Sequence, residues 1–273
     1  MVDEMRHVDG LSAQFDFWSL NPCGTEGTVR KKMNQRYQME PWIPLEIQKF
    51  PMNGVKFLEV GCGQGIDAFN ICTKLDSGST YTAIDYSRES IRRCEQSITE
   101  AKEIFSLSVL PTFRQADALS LPFETEEFDF VYSLGVLHHT PNPQKGIDEI
   151  HRVLKKGGRC FIVLYRFPSL KVGVAKFLRG FQIIVDKFTG RERTIYHFLK
   201  DRNVLRDSLG TMLLECFGVP WMHWFTRNEL EVMFRNFQVE SIEPFGFNFL
   251  TLRKVTSGKN PFGYFYKIEA RKA

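Results

Sequence analysis

From Val55 onward the chain alternates short apolar runs with segments whose apolar residues recur every three to four positions. A parallel sheet assembled from strands and crossover helices writes that rhythm into a sequence. The apolar runs predict strands over Val55–Val60, Tyr81–Ile84, Thr112–Gln115, Phe128–Ser133 and Arg159–Tyr165. Helices are predicted near Gly65, from Ser87 to about Lys102, and around Gln144–Leu154, where Ile147, Ile150 and Leu154 share a face. Lys155, Lys156, Gly157 and Gly158 read as the basic last turn and glycine cap of that third helix. Further on, Thr226 followed by Glu229 is a capping box that opens a helix with Leu230, Met233, Phe234 and Phe237 on one face. Gln238–Glu243 and Tyr264–Ala270 read as closing strands. The second of these alternates in a half-buried pattern that fits an antiparallel edge strand on a mostly parallel sheet.

Two segments stand outside this alternation and divide the chain into four parts. Residues 1–54 are aromatic and irregular and are expected to form an N-terminal lid; 55–165 carry the core. Residues 166–225 form a mostly helical insertion, and 226–273 the closing helix and strands. From Lys171 to Glu215 the insertion sets nine cations against five acids, which matches the +4 net charge of the whole chain. Its run VGVAKFLRGFQIIVDKF alternates basic and apolar residues, the pattern of a lid over an acceptor, of a helix resting on a membrane surface, or of a solvated face above an apolar stripe. In the first segment Phe15, Phe17, Trp18, Tyr37 and Trp42 either close over a site or staple the segment to the sheet. Glu40 there is read as a solvated acid and Cys23 as a turn residue.

Length and composition narrow the classes. At 273 residues, 43% hydrophobic and 25% charged, the chain buries a substantial core and is neither disordered nor coiled coil. It lacks the concentrated basic arm common in nucleic-acid binders, so none is expected as a partner. The six cysteines are scattered without metal-ligand spacing, so no metal site and no disulfide framework is expected, and the thiols read as reduced in the cytoplasm. No stretch approaches the roughly 18 to 20 apolar residues of a membrane span, leaving peripheral contact as the only membrane role considered.

The chemistry is concentrated in Phe57–Asp67, FLEVGCGQGID, where an apolar strand runs through three alternate glycines into a helix. Such a turn lets a ligand approach the backbone closely, and a helix N-terminus offers unpaired amides to an anion. Asp85 closes the next strand, 20 residues beyond Gly65, where a carboxylate accepts from both hydroxyls of a ribose. Asp117 follows the third strand, and the fourth ends in SLGVLHH. A dinucleotide site would more usually read G-x-G-x-x-G, with its third glycine one residue later.

With EVGCGQG, AIDYS, ADALSLPF, FDFVYSLGVLHH and RVLKKGG in that order, Phe57–Val163 resembles the class I S-adenosylmethionine-dependent methyltransferases. The likeness is to the small-molecule branch related to ubiquinone and menaquinone C-methyltransferases. It implies a Rossmann-like, doubly wound α/β fold with a seven-stranded, mostly parallel sheet whose last strand is antiparallel. It also implies S-adenosylmethionine as cofactor, with Glu59 and Gly61, Cys62, Gly63 and Gly65 at its methionine portion. Asp85, with Tyr86 beside it, falls to the ribose, Asp117 and Ala118 to adenine, and Ser133 and Leu134 to the pocket floor. His138 and His139 are the candidates for proton transfer, set against a role in shaping the pocket. Trp18, Tyr37, Tyr165 and His223 are the candidates for contacting the acceptor. The acceptor is a small molecule, with an apolar one favoured by the aromatic lids and 25 phenylalanines. An NAD-dependent oxidoreductase and a non-catalytic cofactor-binding protein are the rival readings. The absence of an Asn/Asp-Pro-Pro-aromatic motif after the fourth strand argues against nucleic-acid amino methylation.

Overall fold

The computed structural model describes residues 17–18, 27–201, 216–246, 260 and 262–273. Phe15 and Cys23 lie outside these residues, as do the insertion's charges between Arg202 and Glu215. Seven strands form one sheet: β1 (Lys56–Val60), β2 (Thr80–Asp85), β3 (Thr112–Gln115), β4 (Phe128–Leu134), β5 (Leu154–Tyr165), β6 (Phe237–Phe245) and β7 (Phe265–Lys272). Their order is β3-β2-β1-β4-β5-β7-β6. The first five are parallel, and β7 runs antiparallel to both β5 and β6. The chain therefore steps outward from β1 to β3 and then returns to place β4 on the other side of β1. Ligand crevices of open α/β sheets form at such a reversal, beyond the carboxyl ends of the strands.

The helices are α1 (Val29–Met39), α2 (Ile43–Ile47), α3 (Ile66–Cys72), α4 (Arg88–Ile104), α5 (Pro143–Val153), α6 (Leu170–Thr189), α7 (Thr194–Asp201) and α8 (Arg227–Met233). Strand alternation sends Phe57, Tyr81, Phe130, Tyr132 and Phe161 to one face, where they pack with residues of α2, α3, α4 and α6. Leu58, Val60, Val131, Ile162 and Ile268 point to the other, against α5 and α8. Both faces are covered, as parallel strands require.

Four details differ from the sequence expectations. Residues 27–54 are not irregular: Thr28 caps α1 by accepting from the Lys31 amide at 3.2 Å. Only Val29 of that helix is buried, so it presents no apolar stripe to read. Lys155–Gly158 do not end α5 but belong to β5. They bulge outward between the Leu154–Phe128 and Arg159–Phe130 pairs, with Gly157 at φ 73° and the Lys155 ammonium 2.8 Å from Asp129. The Thr226 capping box forms, but α8 ends at Met233, so Phe234 and Phe237 reach the core from its cap and from β6. Finally, β7 is interior and β6 takes the edge. Lys267 on β7 is buried, 3.2 Å from Glu46 with Glu243 and Glu269 close by.

Candidate active site

The glycine turn leaves β1 at its carboxyl end with Gly61, Gly63 and Gly65 all at positive φ (83°, 53° and 75°). Non-glycine residues adopt that backbone at a cost. A Cβ on Gly61 would also sit 2.1 Å from a Val136 methyl, so the turn packs directly onto the loop after β4. Much of the turn's hydrogen bonding is internal. The Gly61 and Cys62 amides both donate to the Ile84 carbonyl (2.8 and 2.9 Å), Gly65 to Cys62 (2.9 Å), and Gly63 to Asp85 Oδ2 (2.8 Å). The amides left for an anionic group are those of the first turn of α3, which have no partner within the helix.

Asp85 is held at the end of β2 by the Gly63 amide on one oxygen and the Ser87 amide, at 2.9 Å, on the other. Each oxygen thus keeps a lone pair for a further donor, the arrangement a vicinal diol needs. Burial pushes its pKa up to about 6 while the two amides pull it down. Beside it, Tyr86 has a phenol pushed up by burial and by Asp117. Asp117 itself accepts from the Leu119 amide at 2.9 Å, which orders the loop after β3 next to the buried Ala118.

Glu59 is buried and accepts from the Tyr81 hydroxyl at 2.8 Å; burial, then Asp67, drives its pKa up. Cys62 is buried, with its thiol pushed up by burial and by Cys94, which rules against a nucleophilic thiolate. Ser133 and Leu134 end β4, and the Ser133 hydroxyl is buried with no hydrogen-bond partner among the described residues. Neither amide atom of buried Gln64, in the turn itself, has one either. Buried polar groups are normally satisfied, so these atoms have hydrogen-bonding capacity left for a further partner.

A second group gathers past β4 and β5. His138 and His139 lie on a single 3-10 turn, Leu137–His139, with their ring centres 4.3 Å apart. Tyr165, closing β5, lies 3.9 Å from the His138 ring and stacks on Phe265 at 5.2 Å. Trp18 approaches His139 at 5.4 Å, and His139 Nδ1 is 3.1 Å from the Trp221 carbonyl. The His223 amide donates to the His138 carbonyl at 2.8 Å, and its ring stacks on Trp221 at 6.2 Å. Both ring nitrogens of His138, Nε1 of Trp221 and Nε2 of His223 are buried without a partner among the described residues. Burial first, then His139, Lys171 and His223, hold His138 well below the usual histidine range, so it is neutral near pH 7.

Tyr37 is not part of this group. Its hydroxyl donates to Asp67 Oδ1 at 3.1 Å and accepts from Asn70 at 2.8 Å, on the turn side of the crevice. Asp67, on the first turn of α3, also receives the Arg36 guanidinium through both oxygens and the Tyr132 hydroxyl at 2.9 Å. Glu40 is not solvated, because it accepts from Tyr264 at 2.7 Å and from Trp42. Sequence reasoning missed Arg36, Gln64, Asp67 and Trp221. Asp67 and Gln64 stand inside the quoted glycine run, whereas nothing in the sequence of a polar helix distinguishes Arg36.

Comparison with known proteins agrees with this geometry. Residues 58–162 match the family described as methyltransferase domain. The chain is 26% identical over 198 residues to a demethylmenaquinone methyltransferase of Porphyromonas gingivalis, covering 71% of this chain and 72% of that protein. It is 31% identical over 119 residues to a 2-methyl-6-phytyl-1,4-hydroquinone methyltransferase of Oryza sativa, covering 44% of this chain and 33% of the relative. Several other curated relatives likewise match over only a third to a half of their own length. A crystal structure of a SAM-dependent methyltransferase from Methanosarcina mazei superposes with a TM-score of 0.58 at 21% identity, covering 83% of this chain and 96% of that one. Sheet order, glycine turn and likeness converge on one assignment: residues 58–162 are the core of a methyltransferase domain.

Proposed function

We propose that the chain methylates a small, largely apolar acceptor that carries a hydroxyl or carbonyl on a ring. The observation behind this reading is the set of orphaned polar atoms on His138, Trp221 and His223, with Tyr165 against the His138 ring, Trp221 stacked on His223 and Trp18 against the neighbouring His139. An aromatic enclosure with a few unsatisfied donors and acceptors suits a ring with one or two oxygens, the oxygens fixing its orientation. S-adenosylmethionine, when bound, supplies a methyl group on a sulfonium. The residues proposed to hold it are Glu59, Gln64, Asp85, Tyr86, Asp117, Ala118, Ser133 and Leu134, with the first-turn amides of α3. Neutral His138 is proposed to accept a hydrogen bond from the acceptor's hydroxyl and so to aim the nucleophilic atom. Aligning acceptor and methyl supplies much of the acceleration in an in-line displacement, and burial of the pocket keeps water away.

Residues 1–54 and 166–225 are proposed as the lids that choose the acceptor. The quinone and hydroquinone acceptors in the names of the relatives fit this pocket chemistry. The cytoplasm is retained as the compartment, in keeping with Cys62, Cys72, Cys94 and Cys160, which are buried as free thiols. Among the described residues no helix is long and apolar enough to cross a membrane. The test is product formation from S-adenosylmethionine with prenylated hydroquinones and, separately, with small polar phenols and amines. Turnover of the prenylated acceptors is expected; efficient turnover of polar acceptors alone overturns the apolar reading.

A further inference from the structure

The helix α6 exposes apolar residues that the site does not use. Leu170, Val174, Phe177, Phe181, Ile184 and Phe188 follow one another at steps of four and three, so they form one stripe along the helix. All six are exposed, Phe177 at 74% and Phe188 at 88%. At 1.5 Å per residue the stripe is about 27 Å long. The opposite face carries Val172, Ala175 and Gln182 into the core, while Lys171 lies over the rings of Tyr165 and Tyr264 at 5.0 and 4.3 Å. One helix therefore lies between the Tyr165–Tyr264 aromatic cluster and a protruding apolar ridge.

Charge distinguishes what such a ridge would meet. Residues 170–201 hold seven cations and three acids, so this stretch carries the whole net charge of +4 and the remaining residues balance. The one acid of α6, Asp186, is turned to the backbone, accepting from the Thr194 and Arg193 amides at 2.8 and 2.9 Å. Lys176 and Lys187 are exposed alongside the stripe, the Lys176 ammonium lying over the Phe167 and Trp224 rings at 4.6 and 5.1 Å. A second copy packed symmetrically on this ridge would bring those lysines toward their own counterparts. An anionic lipid surface satisfies both features, taking phenylalanines into the acyl boundary while phosphates meet the lysines.

We propose that α6 docks the protein on an anionic bilayer surface, with its Leu170–Phe188 stripe inserted at the interface and Lys176 and Lys187 on lipid phosphates. The docking does not depend on the identity of the acceptor. It places the pocket against the phase in which an apolar acceptor would dissolve.

The test is co-sedimentation of the full chain with vesicles of phosphatidylglycerol and phosphatidylcholine in equal parts, and with phosphatidylcholine alone. Binding to the mixed vesicles is expected, falling steeply with added salt, and weaker by about tenfold or more on phosphatidylcholine alone. Phe177→Ser with Phe188→Ser is expected to weaken partitioning about tenfold or more. Lys176→Gln and Lys187→Gln should each weaken it about fivefold. All of these variants are expected to retain binding of S-adenosylhomocysteine, which shows that the fold is intact. Failure to bind mixed vesicles, or equal partitioning of variants and wild type, overturns the proposal. So does a lipid-free dimer that dissociates in the phenylalanine variant, which would assign the ridge to a second copy.

Discussion

Burial lifts the Asp85 carboxyl from 3.8 to about 6, against the Ser87 and Gly63 amides that favour its charge. Folded Asp85 keeps its proton at pH values where the unfolded chain has lost it. Its contribution to stability therefore falls as pH rises from about 4 to about 6, and the buried charge is a standing cost above that. The difference in Tm between Asp85→Ala and wild type should move in the variant's favour between about pH 4 and pH 7, measured by thermal unfolding without ligand. A difference that does not change with pH would contradict this. Cofactor affinity is expected to run the other way, weakening on acidification through about 6 as the carboxylate that accepts the diol is lost. The His139 ring is held with Nδ1 3.1 Å from the Trp221 carbonyl, an arrangement that suits positioning and proton transfer alike, and kinetics separates the two. His139→Ala is expected to lower kcat by less than about tenfold, and a loss of several orders in steady-state assays would make it the base.

Between elements, the tie that matters most for the site is Asp67, where α1 meets α3 and β4 through Arg36, Tyr37 and Tyr132. Removing one partner from a buried ionic cluster costs more than the net value of the cluster, because the others lose their counterpart. Asp67→Asn is expected to lose about 2 to 3 kcal/mol in urea unfolding and to loosen α1. An unchanged midpoint would remove the tie from the account. The Thr226 capping box, with both reciprocal bonds formed, should cost about 1 kcal/mol on Thr226→Ala, read the same way. These two features show what was legible. The capping box is a local signature, whereas α1 buries only Val29 and is tied down by partners far away in the sequence, Asp67, Asn70 and Glu100. The bulge in β5 was read as a helix cap because glycine after lysines serves either purpose locally, and only pairing with Asp129 decides.

For the whole molecule, strand positions and the glycine turn were readable because both depend on neighbours in sequence. The order of strands at the far edge was not. Lys267 is held there by Glu46, Glu243 and Glu269, of which Glu46 lies 221 residues away in sequence. The cluster proposed for the acceptor was only partly readable for the same reason: His138, Tyr165, Trp221 and His223 meet across segments far apart in the chain. The cofactor crevice underlies every functional statement made for the chain. It is tested most directly by calorimetric titration with S-adenosylhomocysteine and with NADH, repeated on Asp85→Ala. Saturable binding of S-adenosylhomocysteine alone is expected, weakened in the variant by about 1.5 to 3 kcal/mol. Binding of NADH instead, of neither ligand, or an affinity for S-adenosylhomocysteine untouched by Asp85→Ala would contradict it.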